Sequence, residues 1–353
     1  MSWQAGPAEK ELGTVEQICI WGAGAMGTLL AASLQLAGCP VDLVDADRSR
    51  VAQLSKNGLS VTGTAEFHGP VQIYTPDQVD TTYDLVLLLT KQVHNAVAFP
   101  QIEAHIHNNS VICTLQNGVP EPMVADYFGA ERTLGCAVTW AATMLPDGNT
   151  RSTAKKEKWH SALGQLDGKI TRRTEWVASI LSLMCPVQIS RNLTGIRWSK
   201  LLVNSSFSGM SAALGCTFGE ILDHPEAFRC AQYIARECIH VARALNIQMG
   251  SLGPGEDFDQ LMDFTTPGER LATCPIYQRL WGGTRDGVAS MLPDLLNQRK
   301  TEIEYIDGYL SQKGRECGIP TPYTDSVVSV VTQCECGKLV PAVENLRFFP
   351  SES

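Results

Sequence analysis

Three glycines spaced as G-x-G-x-x-G, Gly22, Gly24 and Gly27, constrain this chain more than any other feature of its sequence. Residues 17–21 before them, a glutamine and four apolar residues, predict a strand, and residues 25–37 after them carry apolar side chains at helical spacing. In this context the first glycine permits a tight turn, the second lets a phosphate approach the backbone, and the third lets the helix pack on the strand. Free N–H groups at the helix N-terminus also bind phosphate.

The turn therefore predicts a dinucleotide site, and the alternative is a glycine-rich turn without a ligand. The predicted cofactor contacts in the turn are Gly22, Ala23, Gly24, Ala25, Met26 and Gly27.

Asp45 ends the second predicted strand, residues 41–45. A carboxylate there accepts hydrogen bonds from both ribose hydroxyls of NAD and repels the 2′-phosphate of NADP. Arg48 could soften that bias by reaching a phosphate, so we predict that both residues contact the cofactor and that NAD is preferred, with NADP as the alternative. Another interpretation is that Asp45 only caps the helix predicted at residues 48–57.

The order of apolar segments predicts an α/β fold followed by a helical one. Residues 83–90 and 109–115 are nearly unbroken apolar runs, typical of parallel strands covered on both faces. Residues 133–144 and 150–163 predict further strands around an Asp-Gly-Asn turn at residues 147–149.

From about residue 191 long amphipathic segments dominate, with a Gly/Pro-rich stretch at 250–287 that predicts loops or a lid with short helices. The amphipathic segments are 193–213, 225–245 and 290–314. Apolar faces at 193–213 and 327–331 either pack internally or form a homodimer interface. The predicted divisions are a flexible extension at 1–15, a Rossmann-type dinucleotide-binding domain at 16–190, an all-α substrate and catalytic domain at 191–346, and a tail at 347–353.

Composition limits the partners of the chain. The net charge of -9 and the lack of a basic stripe argue against nucleic acid. No apolar run approaches the roughly 20 residues that span a bilayer, so no membrane partner is predicted. The first fifteen residues do not resemble a signal peptide, and the 12 cysteines are then expected as reduced thiols in the cytoplasm. Cys334 and Cys336 lack a second ligand pair, so no metal site is predicted.

Polar side chains follow the apolar strands, at the sheet edge where open α/β folds bind ligands. Lys91 comes directly after residues 83–90, and Asn117 takes the same place after the next strand. Lys200 and Asn204 lie four residues apart on one face of a predicted helix. A lysine in such a cleft can protonate a carbonyl oxygen as hydride arrives at the carbon. A surface lysine on an amphipathic helix is the common alternative.

Together these segments resemble the ketopantoate reductase (2-dehydropantoate 2-reductase) family. The matching motifs occur in family order over about residues 17–325: GAGAMG, LLLTK, LQNG, W-x-K-L-x-x-N at 198–204, S-M-L-x-D at 290–294 and TEIEYIDG at 301–308. The resemblance implies an NAD(P)-dependent reductase in which a Rossmann-type domain precedes a helical domain like the C-terminal one of 6-phosphogluconate dehydrogenase.

The resemblance also implies roles for single residues. Lys200 matches the general acid, and Glu302 matches the carboxylate that works with it. Glu304 is the less probable partner because it lies on a different face. Further matches are Lys91 on the cofactor side of the cleft and Asn117, Asn204 and Ser290 as polar contacts to substrate, cofactor or lysine.

The chain departs from the family pattern at three pocket positions. Where the family has asparagines, this sequence has Ser208, Phe218 and Gly287. Because amide groups fix small polar substrates, their loss predicts a 2-oxo acid or related ketone that is bulkier or less polar than ketopantoate. The alternatives are a genuine 2-dehydropantoate 2-reductase and a non-enzymatic protein that senses the dinucleotide.

Overall fold

The computed structural model describes residues 16–251 and 258–351. Its first domain is built on an eight-stranded sheet in the order β12-β11-β8-β7-β6-β1-β2-β5, with a four-stranded sheet in the order β4-β3-β10-β9 beside it. The strands are β1 Ile18–Trp21, β2 Asp42–Val44, β3 Leu59–Gly63, β4 Phe67–Gly69, β5 Gln72–Tyr74, β6 Tyr83–Leu88, β7 Ile106–Thr114, β8 Thr133–Val138, β9 Ala142–Met144, β10 Thr150–Ser152, β11 Ser161–Gly164 and β12 Val187–Ile189.

The main sheet is parallel from β5 to β8, and only its β8–β11 pairing is antiparallel. Its central strands are buried, as their unbroken apolar runs predict. The helices of this domain are α1 Ala25–Leu36, α2 Arg48–Asn57, α3 Asn95–Glu103, α4 Glu121–Phe128 and α5 Arg172–Leu181. The predicted Rossmann-type architecture is confirmed.

The two strands predicted at 133–144 and 150–163 are wrong as single elements. Each segment is divided between the two sheets, with β8 and β11 in the large sheet and β9 and β10 in the small one. The turn between β9 and β10 is present, with Gly148 at a φ of 80°. The place where the chain changes sheets is set by the pairing of β10 with β3 and of β11 with β8, which the apolar pattern of a single segment does not show.

The second domain is helical, as predicted. Its helices are α6 Leu193–Val203, α7 Met210–Leu214, α8 Phe218–Asp223, α9 Pro225–Ala244, α10 Phe258–Leu261, α11 Pro267–Ala272, α12 Cys274–Trp281, α13 Met291–Leu296, α14 Asp307–Cys317 and α15 Pro322–Glu335. A π-helical turn, Asn204–Gly209, joins α6 to α7. The segment predicted as one amphipathic unit at 290–314 is instead broken into α13, a 3₁₀ turn at Ile303–Tyr305 and α14.

The break in that segment is caused by a distant contact. The backbone N–H and the hydroxyl of Thr301 both donate to the Glu335 carboxylate of α15, at 2.8 and 2.6 Å. Those bonds hold residue 301 outside a helical ladder, and Gln298 just before it has a φ of 55°. The pattern of apolar residues cannot report a contact that comes from another helix.

The helical domain extends past its predicted end at 346. Phe349 is buried in its core, and the Arg229 guanidinium donates to the carbonyl of Pro350 at 2.9 Å. The apolar faces at 193–213 and 327–331 also pack into this core, so the homodimer prediction loses their support. The extension predicted at 1–15 lies outside the described residues. Within 16–251 and 258–351, no helix combines the length and apolar character needed to cross a bilayer.

Candidate active site

An added side chain would clash at two of the three glycines of the turn and would meet open space at the third. Gly22 has a φ of +116°, and a Cβ there would lie 2.7 Å from the backbone nitrogen of Thr90. A Cβ on Gly27 would lie 1.9 Å from the Gly22 carbonyl oxygen. A Cβ on Gly24 would meet no described atom within 4 Å, and no side chain caps the N–H groups of α1 there. The open face at Gly24 therefore fits a pyrophosphate against the helix N-terminus.

Asp45 is tied to this turn and does not cap the next helix. Its carboxylate accepts from the backbone N–H of Ala23 at 2.7 Å and from that of Asp47 at 2.9 Å. The N-cap of α2 is Asp47, which accepts from the N–H groups of Ser49 and Arg50. The interpretation of Asp45 as a helix cap is therefore wrong. Its carboxylate lies at the end of β2, beside the first residues of the turn.

Two arginines flank the turn differently. Arg48 is exposed and pairs with Asp77 at 2.9 Å, so its charge is directed at a carboxylate of the chain. Arg50, which the sequence did not single out, is buried. It donates from Nε to the Ala23 carbonyl at 3.1 Å and from Nη1 to the Gly148 carbonyl at 2.5 Å. Arg50 therefore fixes the turn to the β9–β10 hairpin.

The segment after β6 brings both domains together. Lys91 forms an ion pair with the buried carboxylate of Asp294 in α13. The next residue, Gln92, donates its backbone N–H to Glu302 at 3.1 Å and its side-chain amide to the Asn117 carbonyl at 2.6 Å. Burial raises the pKa of Glu302, while the Gln92 N–H and the Lys91 charge oppose that shift. Three residues predicted from separate motifs thus meet around one glutamine.

The Asn117 loop is fitted closely to the helical domain. Gly118 has a φ of +74°, and a Cβ there would lie 2.4 Å from the Tyr305 carbonyl oxygen. Gln116 is buried and donates to the Thr90 carbonyl at 2.8 Å and to the Asn95 side chain at 2.7 Å. The only sequence signal for this network was the presence of amide side chains just after an apolar strand.

Lys200 lies near the carboxyl-terminal end of α6, and its Nζ donates to the Val138 carbonyl at the end of β8 at 2.9 Å. Burial lowers the pKa of Lys200 to about 7, and the charge of Arg197 adds to this effect. The charge of Glu302 acts in the opposite direction. The amine can therefore be charged or neutral near pH 7, as a group that gives and takes a proton requires. Glu302 is buried and Glu304 is exposed.

The altered pocket positions form two groups. Ser208 lies with Asn204 on the π-helical turn after Lys200, and both are half-buried. Phe218 and Gly287 are direct neighbours, because the Phe218 N–H donates to the Gly287 carbonyl at 2.9 Å. A Cβ on Gly287 would approach the Phe218 ring to 3.1 Å. The absence of a side chain at residue 287 thus makes room for the ring at residue 218.

Ser290 lies one helical turn before Asp294, the ion-pair partner of Lys91. It is exposed, immediately before α13, and its side chain does not cap that helix.

Two family models match the chain in order. "Ketopantoate reductase PanE/ApbA" matches residues 18–165, and "Ketopantoate reductase PanE/ApbA C terminal" matches residues 192–335. A 2-dehydropantoate 2-reductase of Archaeoglobus fulgidus is 26% identical over 329 residues, covering 92% of this chain and 99% of that protein. One of Pyrococcus abyssi is 25% identical over 309 residues, covering 87% and 93%.

Solved structures share the fold. A D-mandelate dehydrogenase with NADH and anilino(oxo)acetate has a TM-score of 0.79 at 24% identity, covering 91% of this chain and 99% of that one. A 2-dehydropantoate 2-reductase from Geobacter metallireducens has a TM-score of 0.76 at 25% identity, covering 90% and 99%.

Proposed function

Because the chain belongs to the ketopantoate reductase family of nicotinamide-dependent oxidoreductases, we propose that it reduces a 2-oxo acid with Lys200 as general acid. The observation that carries this proposal is the Lys200 amine, held at the end of β8 with a pKa lowered to about 7. Nicotinamide supplies the hydride when it is bound. Lys200 donates a proton to the carbonyl oxygen in reduction and recovers it from the hydroxyl in oxidation.

Glu302 supports the charged form of that lysine. Its carboxylate raises the pKa of Lys200, against the stronger effect of burial. It is held in place by the Gln92 N–H, and the same glutamine side chain holds the Asn117 loop. Asn117 and Asn204 are proposed as polar contacts around the reacting carbonyl, with Ser290 at the rim for the carboxylate of the substrate.

NAD is the proposed cofactor. The Asp45 carboxylate is fixed by two backbone N–H groups at the end of β2. A carboxylate at that position of this fold would accept hydrogen bonds from the ribose hydroxyls. Arg48, the exposed arginine three residues after Asp45, is paired with Asp77. Its charge is therefore less available to bind the 2′-phosphate of NADP. The turn at Gly24 and the N-terminus of α1 would hold the pyrophosphate, and Lys91 would border the cofactor side of the cleft.

The proposed substrate is bulkier or less polar than ketopantoate. Phe218 and Gly287 support this choice, since their contact puts an aromatic ring where the family pattern has amides. The D-mandelate dehydrogenase of the same fold was solved with anilino(oxo)acetate, so aryl 2-oxo acids stand first among the substrates to test. A genuine 2-dehydropantoate 2-reductase is the second candidate, favoured by the names of the relatives.

The test is a substrate panel read by NADH and NADPH absorbance in parallel. It contains ketopantoate with alkyl and aryl 2-oxo acids, at matched concentrations. We expect the highest kcat/KM for NADH with a bulky 2-oxo acid. A maximum on ketopantoate would select the second candidate. Tight NADH binding without consumption on any ketone would select a dinucleotide sensor and overturn the proposal.

A further inference from the structure

An arginine and a glutamate are paired in the interior, between the two domains. Arg197 of α6 has a side chain with 0% exposure, and Glu121, the first residue of α4, has 1%. Nε of the guanidinium donates to one oxygen of the Glu121 carboxylate at 2.6 Å, and Nη2 lies 2.5 Å from the same oxygen in an ion pair. Neither residue belongs to a motif that the sequence singled out.

The remaining bonds of the guanidinium reach the strand that precedes the Asn117 loop. Nη1 donates to the Gln116 carbonyl at 2.9 Å, and Nη2 donates to the Thr114 carbonyl at 3.1 Å. An arginine presents its donors in a rigid plane, so these bonds hold α6 against the end of β7 at one distance and rotation. Arg197 therefore fixes the helix that carries Lys200 relative to the loop that carries Asn117.

Gly135 of β8 makes room for the pair. A Cβ there would lie 2.1 Å from the Glu121 carboxylate oxygen, so any larger residue would displace the carboxylate. Two apolar side chains of similar volume are often as stable as a buried ion pair, or more so. Fold stability alone therefore does not explain why charges occupy this position.

Arg197 also lies one helical turn before Lys200, on the same face of α6. The charged and titratable groups that act on the Lys200 amine come from four elements: Arg197 from α6, Cys136 from β8, Glu302 from the segment before α14, and Glu121 from α4. Apart from burial, the charge of Arg197 has the largest effect in lowering the pKa of Lys200. Glu121 is the smallest of those that raise it.

We infer that Arg197, held by Glu121 and by the end of β7, is a positioning residue for Lys200 that fixes the place of its amine and sets a second cation one helical turn away from it. This inference rests on the proposed function for its catalytic meaning, because a proton donor must be both well placed and able to release its proton. The Arg197–Glu121 pair acts on these two requirements in different ways. The hydrogen bonds of Arg197 set the position of the Lys200 amine, and the two charges influence its protonation.

The test compares three variants that change charge and geometry separately. Arg197→Lys keeps the charge and loses the rigid bonds. Glu121→Gln keeps the volume and removes the negative charge. The double variant Arg197→Met with Glu121→Met removes both charges and retains apolar packing. For each we measure the pH midpoint of Lys200 acylation by acetic anhydride, read by peptide mass spectrometry, and the pH profile of kcat for NADH-dependent reduction.

The expected shifts have opposite signs. Glu121→Gln lowers the Lys200 midpoint, because an attractive charge is lost. The double variant raises it by about 1 pH unit, because the dominant repulsive charge is lost. Arg197→Lys leaves the midpoint near that of the wild type and lowers kcat roughly tenfold through misplacement of the amine. The alkaline limb of the reduction profile moves with the acylation midpoint, since the protonated lysine is the active form.

Arg229→Lys is the matched control. Arg229 is also buried and paired with a glutamate, Glu226, but it lies in α9 and bonds to Tyr323 and Pro350. This control should lose stability without moving the Lys200 midpoint. Shifts of the same sign for Glu121→Gln and the double variant, or no shift in either, would overturn the inference. If the double variant fails to fold, the two single variants decide the outcome. The inference is then overturned if the Lys200 midpoint in Glu121→Gln equals that of the wild type, or if kcat of Arg197→Lys equals that of the wild type.

The acylation readout needs no turnover. Wild-type protein that consumes NADH on no ketone would overturn the proposed function, while the acylation midpoints would still decide the influence of Arg197 on Lys200.

Discussion

The backbone N–H of Gln92 donates to the Glu302 carboxylate at 3.1 Å, across 210 residues of sequence and from one domain to the other. Glu302 is buried, so this bond partly replaces the water that it loses. The same segment carries Lys91, which pairs with Asp294 of the helical domain. Groups of the two domains are therefore held in one arrangement by a backbone-to-carboxylate hydrogen bond and an ion pair.

Asp45 is predicted to set the preference for NAD over NADP. Asp45→Ser removes the charge that repels a 2′-phosphate, and we expect the ratio of kcat/KM for NADPH to that for NADH to rise roughly 10- to 100-fold. Asp47→Ser is the control, because serine also caps α2 while the Asp45 carboxylate stays in place. An equal ratio in Asp45→Ser and the wild type would show that Asp45 does not contact the ribose of the cofactor.

Substitutions at two glycines of the turn are predicted to have separate effects, one on the stability of the fold and the other on cofactor binding. In Gly27→Ala the new Cβ would lie 1.9 Å from the Gly22 carbonyl oxygen, so we expect a loss of about 1–3 kcal/mol in the free energy of unfolding. In Gly24→Ala the Cβ meets open space, so stability is kept while the dissociation constant for NADH rises about tenfold or more. Denaturant unfolding and NADH fluorescence titration measure the two effects. Unchanged NADH binding in Gly24→Ala would contradict a cofactor at this face.

Local features of the sequence predicted those parts of the fold that depend on local interactions. The helix predicted at 48–57 has those bounds in the structure, because Asp47 caps its start and Gly58 ends it. Lys91 and Asn117 were expected at one sheet edge, and the side chain of Gln92 does join their two loops. Parallel strands make this expectation reliable, since their carboxyl ends share an edge.

The parts that were not predicted depend on distant contacts. The Arg197–Glu121 pair joins residues 76 positions apart, and only the small residue Gly135 on a third element makes space for it. The break after α13 results from the bonds of Thr301 to Glu335. Neither contact leaves a periodic pattern in the sequence, so it cannot be predicted from one segment alone.

Phe218 and Gly287 are predicted to act as a coupled pair in substrate choice. Gly287→Asn alone should be poorly tolerated, because its Cβ would lie 2.9 Å from the Thr284 carbonyl oxygen and 3.1 Å from the Phe218 ring, and only the second contact is relieved when the ring is removed. The double variant Phe218→Asn with Gly287→Asn removes the ring and restores the amides. We expect its kcat/KM ratio of ketopantoate to an aryl 2-oxo acid to rise about tenfold or more. A ratio equal to that of the wild type would show that these positions do not contact the substrate.

Asp307 is predicted to make stability depend on pH. It is fully buried beside Gly209, and neither carboxylate oxygen has a hydrogen-bond partner among the described residues. Burial raises its pKa well above the ordinary value of 3.8. Its protonated form therefore contributes stability that is fully present below pH 3.8 and is lost as the pH rises, by about 1.4 kcal/mol per pH unit until the folded-state pKa is reached.

Asp307→Asn removes this dependence, since an amide stays neutral. We expect the variant to exceed the wild type in free energy of unfolding at pH 7, with the difference shrinking towards pH 4. Urea unfolding at several pH values measures it. A difference that is constant with pH would mean that Asp307 is not protonated in the folded protein.

The Lys200 amine is central to the proposed reaction, and the turnover of Lys200→Ala tests its role most directly. The measurement is kcat for NADH-dependent reduction of the best 2-oxo acid, with NADH binding determined on the same preparation. We predict a fall in kcat of roughly 10²- to 10⁴-fold with the dissociation constant for NADH nearly unchanged, because a proton donor is lost and the cofactor turn is intact. A kcat within a few-fold of the wild type would contradict the assignment of Lys200 as general acid.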